Sequence, residues 1–191
     1  MADAQEIISR LALDKQIPVE EIPKIDLYVD QVIQLFENGF SDTKRKPDDK
    51  ILTKTMINNY AKAKLFYPVT SKKYSRNHVM LIRLIYEMKS ALSINDVKKV
   101  LADINDKAAR HNLDLTEFYA CYLEVQRQDE ALFTENLEQQ VKRAATASAE
   151  FGEDRQEIEK VLLIASLVHM SNLYRRAAEI LVDELAEGNE G

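Results

Sequence analysis

Proline is missing from Val69 to Gly191; the four prolines, Pro18, Pro23, Pro47 and Pro68, all lie before that stretch. Glycine is scarce too, with four in the whole chain. So few turn-formers exclude a turn-rich β architecture and argue for mostly α structure. A single cysteine, Cys121, excludes an intramolecular disulfide and suits a reducing compartment. Its neighbours Phe118, Tyr119, Tyr122 and Val125 predict a buried thiol acting as a small hydrophobe. The longest uninterrupted apolar run, Val161 to Ala165, is far short of the roughly 20 residues a membrane span needs. The opening MADAQEIISR lacks the basic region of a signal peptide. A cytoplasmic protein with no membrane partner is expected. Glycine-rich phosphate loops and nucleophile elbows are absent, and His78, His111 and His169 are dispersed without a Glu-x-x-His pairing. No catalytic residue, metal or cofactor is therefore assigned, and the chain is read as a non-enzyme.

What is present is an uneven distribution of charge. The 191 residues carry a net −6 and a pI near 5.2, which alone argues against nucleic acid. Yet from Lys44 to Arg110 there are sixteen basic and six acidic residues (+10), leaving ten basic and twenty-six acidic (−16) for the rest. A basic middle in an acidic chain is the asymmetry of a nucleic-acid-binding segment joined to a different module. The alternative is a solvated charged face.

That basic region centres on Ile51 to Leu101. Thr53 is a good N-cap for a helix over 53–64. Met56, Ile57, Tyr60, Ala61 and Leu65 recur at three- and four-residue spacing and predict an inward face. Lys54, Thr55, Asn58, Asn59 and Lys62 fall on the other side. Asparagine is a poor helix former, but its amide can bond bidentately to the edge of adenine. Two solvated surface residues would look the same in sequence. Pro68 ends the helix, and 69–76 reads as a short wing with a turn near Thr70 and Ser71. Lys72 and Lys73 there suit phosphates; protection of an edge strand is the other reading. Ser75 caps an apolar helix in which Arg76 is a further phosphate candidate and His78 a surface or packing residue rather than a ligand. Ser93-Ile94-Asn95-Asp96 resembles a capping box opening one more helix.

Helix, wing, helix, helix resembles the DNA-binding domain of MerR regulators. Asn59-Tyr60 stands at that family's helix motif, Leu65-Phe66-Tyr67-Pro68 at its turn, Lys73-Tyr74-Ser75 at the wing closure and Leu92 to Val97 at the last helix start. The arginine of the helix motif and the glycines of the wing and last helix are absent. Leu52 to Tyr60, Lys72-Lys73-Tyr74-Ser75 with His78, Leu92-Ser93-Ile94 and the upstream Asp26 to Val32 more closely resemble the bacterial family of domain of unknown function 1836, over roughly residues 22–102.

Upstream, Ile7, Ile8 and Leu11 line a short helix, and Ile25 to Asn38 reads as a second, with Ile25, Tyr28, Val29, Val32, Ile33 and Phe36 on one side and Gly39 as its C-cap. Lys44, Arg45 and Lys46 lie in a polar loop that touches DNA or is simply solvated. Downstream, Asp114 starts a long helix whose polar stretch Gln126 to Glu130 predicts a bend or break. After Gly152 a last helix runs to about Ala186. Its middle, Val161 to Val168, is apolar all round and needs burial by neighbours or by another chain. An irregular tail is expected over 187–191. The expected architecture is all-α: a MerR-like helix-turn-helix with a minimal wing in 1–110, then a long helical hairpin in 111–191 for dimerisation or effector binding.

The resulting functional expectation is a DNA-binding transcriptional regulator. Its partners would be double-stranded DNA and a second copy held through the C-terminal helices, with any small-molecule effector unknown. Base contacts come from Thr55, Asn58 and Asn59, and phosphate contacts from Lys54, Lys62, Lys72, Lys73 and Arg76. The alternatives are a non-enzymatic interaction module using the acidic C-terminal helices, and a ligand pocket lined by Phe118, Tyr119, Tyr122 and His169.

Overall fold

The computed structural model describes residues 3–110 and 112–188. In chain order it contains α1 (Ala4–Leu11), β1 (Leu27–Tyr28), α2 (Val29–Phe40), α3 (Lys54–Lys62), β2 (Lys73–Tyr74), α4 (Arg76–Met88), α5 (Ile94–Ala109), α6 (Leu115–Ala147) and α7 (Arg155–Gly188). Short 3-10 turns occupy Val19–Glu21, Ser41–Thr43 and Gly152–Asp154. The fold is all-α, with one two-stranded antiparallel ribbon that pairs Leu27 with Tyr74 and Tyr28 with Lys73.

Contacts divide the chain into a larger unit, 15–123 with 178–191, and a smaller one, 1–14 with 124–177. The divisions fall inside α6 and α7. In the larger unit α4 is the central element: His78 through Ile85 are all buried. Around it pack Val32, Phe36 and Phe40 of α2, Ile57 and Tyr60 of α3, Val97 and Leu101 of α5, Leu115 and Tyr119 of α6, and Val182 of α7. The buried Arg83 donates to Glu87 at 2.7 Å and lies over the rings of Phe40 and Tyr122, so its charge keeps polar and π partners away from water. Tyr119 donates to the Ile17 carbonyl at 2.9 Å, and burial pushes its hydroxyl pKa up to about 12 against the lowering effect of Arg83.

Several local expectations are corrected. The helix read from Ile25 begins only at Val29, because Leu27 and Tyr28 pair with the wing strand instead; Ile25 and Tyr28 are exposed, not inward. Gly39 is no C-cap but lies inside α2. A β-carbon there would sit 2.8 Å from Cγ1 of Ile17, so glycine lets that isoleucine close onto the helix. Leu11 is exposed. Cys121 is exposed, on the opposite side of α6 from the buried Tyr119. α6 does not break at 126–130: Arg127 and Gln128 both donate to the Glu124 carboxylate, and such pairs three and four residues apart carry the helix through its polar stretch. α7 continues to Gly188, and the rest of the expected tail, 189–191, lies outside the described residues.

In the smaller unit, residues 124–147 of α6 and 155–177 of α7 form the expected antiparallel hairpin around a turn in which Gly152 takes φ +56°. Leu137, Ala144, Ser148, Glu159 and Leu163 are its buried residues. The apolar middle of α7 is covered on one side alone among the described residues: Leu163 is buried, while Val161, Leu162, Ile164 and Val168 are exposed. A two-helix hairpin offers α7 only one side on which to bury. Among the described residues no helix is long and apolar enough to cross a membrane.

Candidate nucleic-acid interface

The candidate face is built on α3. The Thr53 hydroxyl accepts from the Met56 N–H at 3.1 Å and starts the helix. Ile57 and Tyr60 are buried, and full burial of a side chain like Ile57 contributes about 2 kcal/mol. The helix ends in a Schellman motif: the Leu65 N–H donates to the Tyr60 carbonyl and the Lys64 N–H to the Ala61 carbonyl. Lys64 takes the left-handed position usually held by glycine, at φ 58°. Asn105 of α5 donates to the Leu65 carbonyl at 2.7 Å and fixes that end. The anchored helix turns Lys54, Thr55, Asn58, Asn59 and Lys62 to solvent, on the face the periodicity predicts. Lys54 occupies the first turn, where the helix dipole disfavours a cation and favours an anion.

The wing is a tight turn from Thr70 to Lys73, closed by a 3.0 Å hydrogen bond from the Lys73 N–H to the Thr70 carbonyl. Both central residues, Ser71 and Lys72, have positive φ, 52° and 60°, the signature of a type I′ hairpin turn made here without glycine. Lys72 is exposed at its tip. Lys73 is half-buried, with its ammonium 5.3 Å from the centre of the Tyr28 ring. Arg76 is also half-buried, and its guanidinium donates to the Val19 carbonyl. Five of the eight candidate residues thus share the outer face of α3, Lys72 stands on the adjoining turn, and Lys73 and Arg76 have protein partners. In the polar loop Lys44 pairs with Glu37, while Arg45 and Lys46 are exposed.

His78 is the residue whose role the sequence understates. Its Nδ1 accepts from the Ser75 backbone N–H at 3.2 Å, so Nε2 carries the proton and donates to the Tyr67 carbonyl at 3.1 Å. The imidazole packs among Phe66, Tyr67 and Tyr74. Burial holds its pKa below the ordinary histidine value despite the opposing hydrogen bond to Tyr67. One neutral ring therefore joins the end of α3, the wing and the start of α4. Of the remaining sequence candidates, Tyr119 and Tyr122 belong to the core of the larger unit, and His169 is exposed on α7. Among the described residues no three His, Cys, Asp or Glu side chains cluster to hold a metal.

The family described as Domain of unknown function (DUF1836) matches residues 17–122, more than half of the chain. The chain belongs to the DUF1836 family. The matched region takes in β1, α2, α3, the wing, α4, α5 and the first turns of α6, so the candidate face lies wholly within the family domain. No curated protein and no solved structure shows significant similarity to this DUF1836 chain.

Proposed function

We propose that this protein is a DNA-binding transcriptional regulator with a MerR-like winged helix-turn-helix. In this reading α3 enters the major groove, where Thr55, Asn58 and Asn59 meet base edges. Lys54, Lys62 and Lys72 contact the flanking phosphates, with Lys73 and Arg76 at the margin of the contact. The observation that carries the reading is the outward face of α3, which sets two amides between lysines while Ile57 and Tyr60 anchor the other side. Asparagine suits adenine and lysine suits phosphate, and this division is how a groove-reading helix separates specificity from affinity. The basic balance of 44–110 supports it further.

Selection of bound duplexes from a random pool tests the proposal. An enriched motif is the expected result, and recovery of no sequence above background refutes it. A second reading, a non-enzymatic interaction module, is favoured by the exposed apolar residues of α7. Retention on DNA-cellulose separates the two: a protein of pI near 5.2 flows through unless its basic face engages the polymer.

A further inference from the structure

On its outer side α7 carries a regular seam. Glu157, Val161, Ile164, Val168, Ser171 and Arg175 follow one another at spacings of four, three, four, three and four residues. That is the a/d repeat of a coiled coil. All six are exposed, and the three apolar ones strongly so: Val161 57%, Ile164 61% and Val168 55%. The helix meets the rest of the smaller unit through other positions, among them the buried Glu159 and Leu163. The exposed apolar residues of the seam, Val161, Ile164 and Val168, are therefore additional to that buried contact.

Its charges are arranged symmetrically about Ser166. Ile164 and Val168 are equidistant from that residue, as are Val161 and Ser171, and Glu157 and Arg175. One end is acidic, the other basic, and the middle apolar. Laid antiparallel on another copy of itself, the seam sets Ile164 against Val168, Val161 against Ser171, and each Glu157 against an Arg175. Laid parallel, it sets Glu157 on Glu157 and Arg175 on Arg175, and like charges directly opposed are unfavourable. The matched stretch is about 27 Å long at about 1.5 Å per residue.

We infer that α7 docks on α7 of a second copy of this chain, antiparallel and two-fold symmetric about Ser166, so that two hairpins make a four-helix interface. The inference goes beyond the DNA-binding reading and does not depend on it.

Sedimentation equilibrium of the full chain over a wide concentration range tests it. A dimer is expected. Val168→Glu alters a solvent-facing position, so helicity by circular dichroism should stay unchanged while the dimer dissociates. Glu157→Arg alone, or Arg175→Glu alone, should weaken association on the order of tenfold, since each dimer contains two such pairs. The joint swap should restore it, because the pairs re-form with their signs exchanged. A chain that stays monomeric throughout, or a dimer indifferent to Val168→Glu, overturns the inference. So does a single swap that leaves association unchanged, which marks a parallel pair where like charges still face each other, or a joint swap that fails to recover.

Discussion

Lys72→Gly is the cleanest probe of the wing. Lys72 is the second central residue of the Thr70–Lys73 turn and holds φ 60°. An L-residue in that region carries a cost of about 1–2 kcal/mol, which glycine escapes. Glycine in turn raises the entropy of the unfolded chain, an opposing effect of about 0.5–1 kcal/mol. The net change in stability runs from near zero to about 1.5 kcal/mol in favour of the variant, so the turn survives the loss of its ammonium. An alanine there would leave the backbone strain in place. If Lys72 neutralises one phosphate, its removal lowers the log–log salt slope of binding by about 0.9. Between about 50 mM and about 200 mM salt that is a factor of about 3.5 in affinity, so wild type and variant should converge by that factor. Fluorescence anisotropy on a selected duplex and on an unrelated one measures it, and both should show the same convergence. An unchanged slope, or a loss confined to one sequence, would refute the phosphate role.

Asn59→Ala should act in the opposite sense: the salt slope stays, while discrimination between the selected site and a site altered at the contacted base falls by about 1–3 kcal/mol. A competition titration with the two duplexes decides it. His78 predicts an acid limb in stability. Its folded pKa is depressed, so the unfolded chain takes up the proton first as pH falls. Its contribution is complete above about pH 6.5, the ordinary histidine value, and is lost below that with a slope of up to about 1.4 kcal/mol per pH unit. Urea unfolding from pH 7.5 to pH 5.5 should show this limb in wild type and not in His78→Asn. Gly39→Ala places a methyl group against Ile17 Cγ1 and should cost about 1–3 kcal/mol, read as an earlier urea midpoint with unchanged slope; an equal or later midpoint contradicts the close approach.

What could be read in advance was whatever local chemistry decides. Thr53, Ser75 and Ser93 each accept from the N–H three residues on, and the helices they announce begin where the caps stand. The outward side of α3 followed from its apolar period. The ribbon was not legible: Leu27 and Tyr28 are extended only because Lys73 and Tyr74 lie beside them, a pairing forty-odd residues away in sequence that no window sees. Arg76 reads as a phosphate candidate because an exposed and a half-buried arginine look identical in sequence; its bond to the Val19 carbonyl shows only in three dimensions. Lys64 carries no sequence signal as a helix-ending residue, because lysine sits where the pattern wants glycine. For α7 the apolar content was plain, but composition cannot say whether its cover comes from the same chain.

The buried ring of His78 has a practical consequence. Its Nε2 proton is shielded from water and donated to a carbonyl, so it should exchange slowly enough to give a separate resonance in nitrogen-labelled protein. That one signal would watch the place where α3, the wing and α4 meet, and report whether any treatment of the molecule, from acid to added duplex, loosens it.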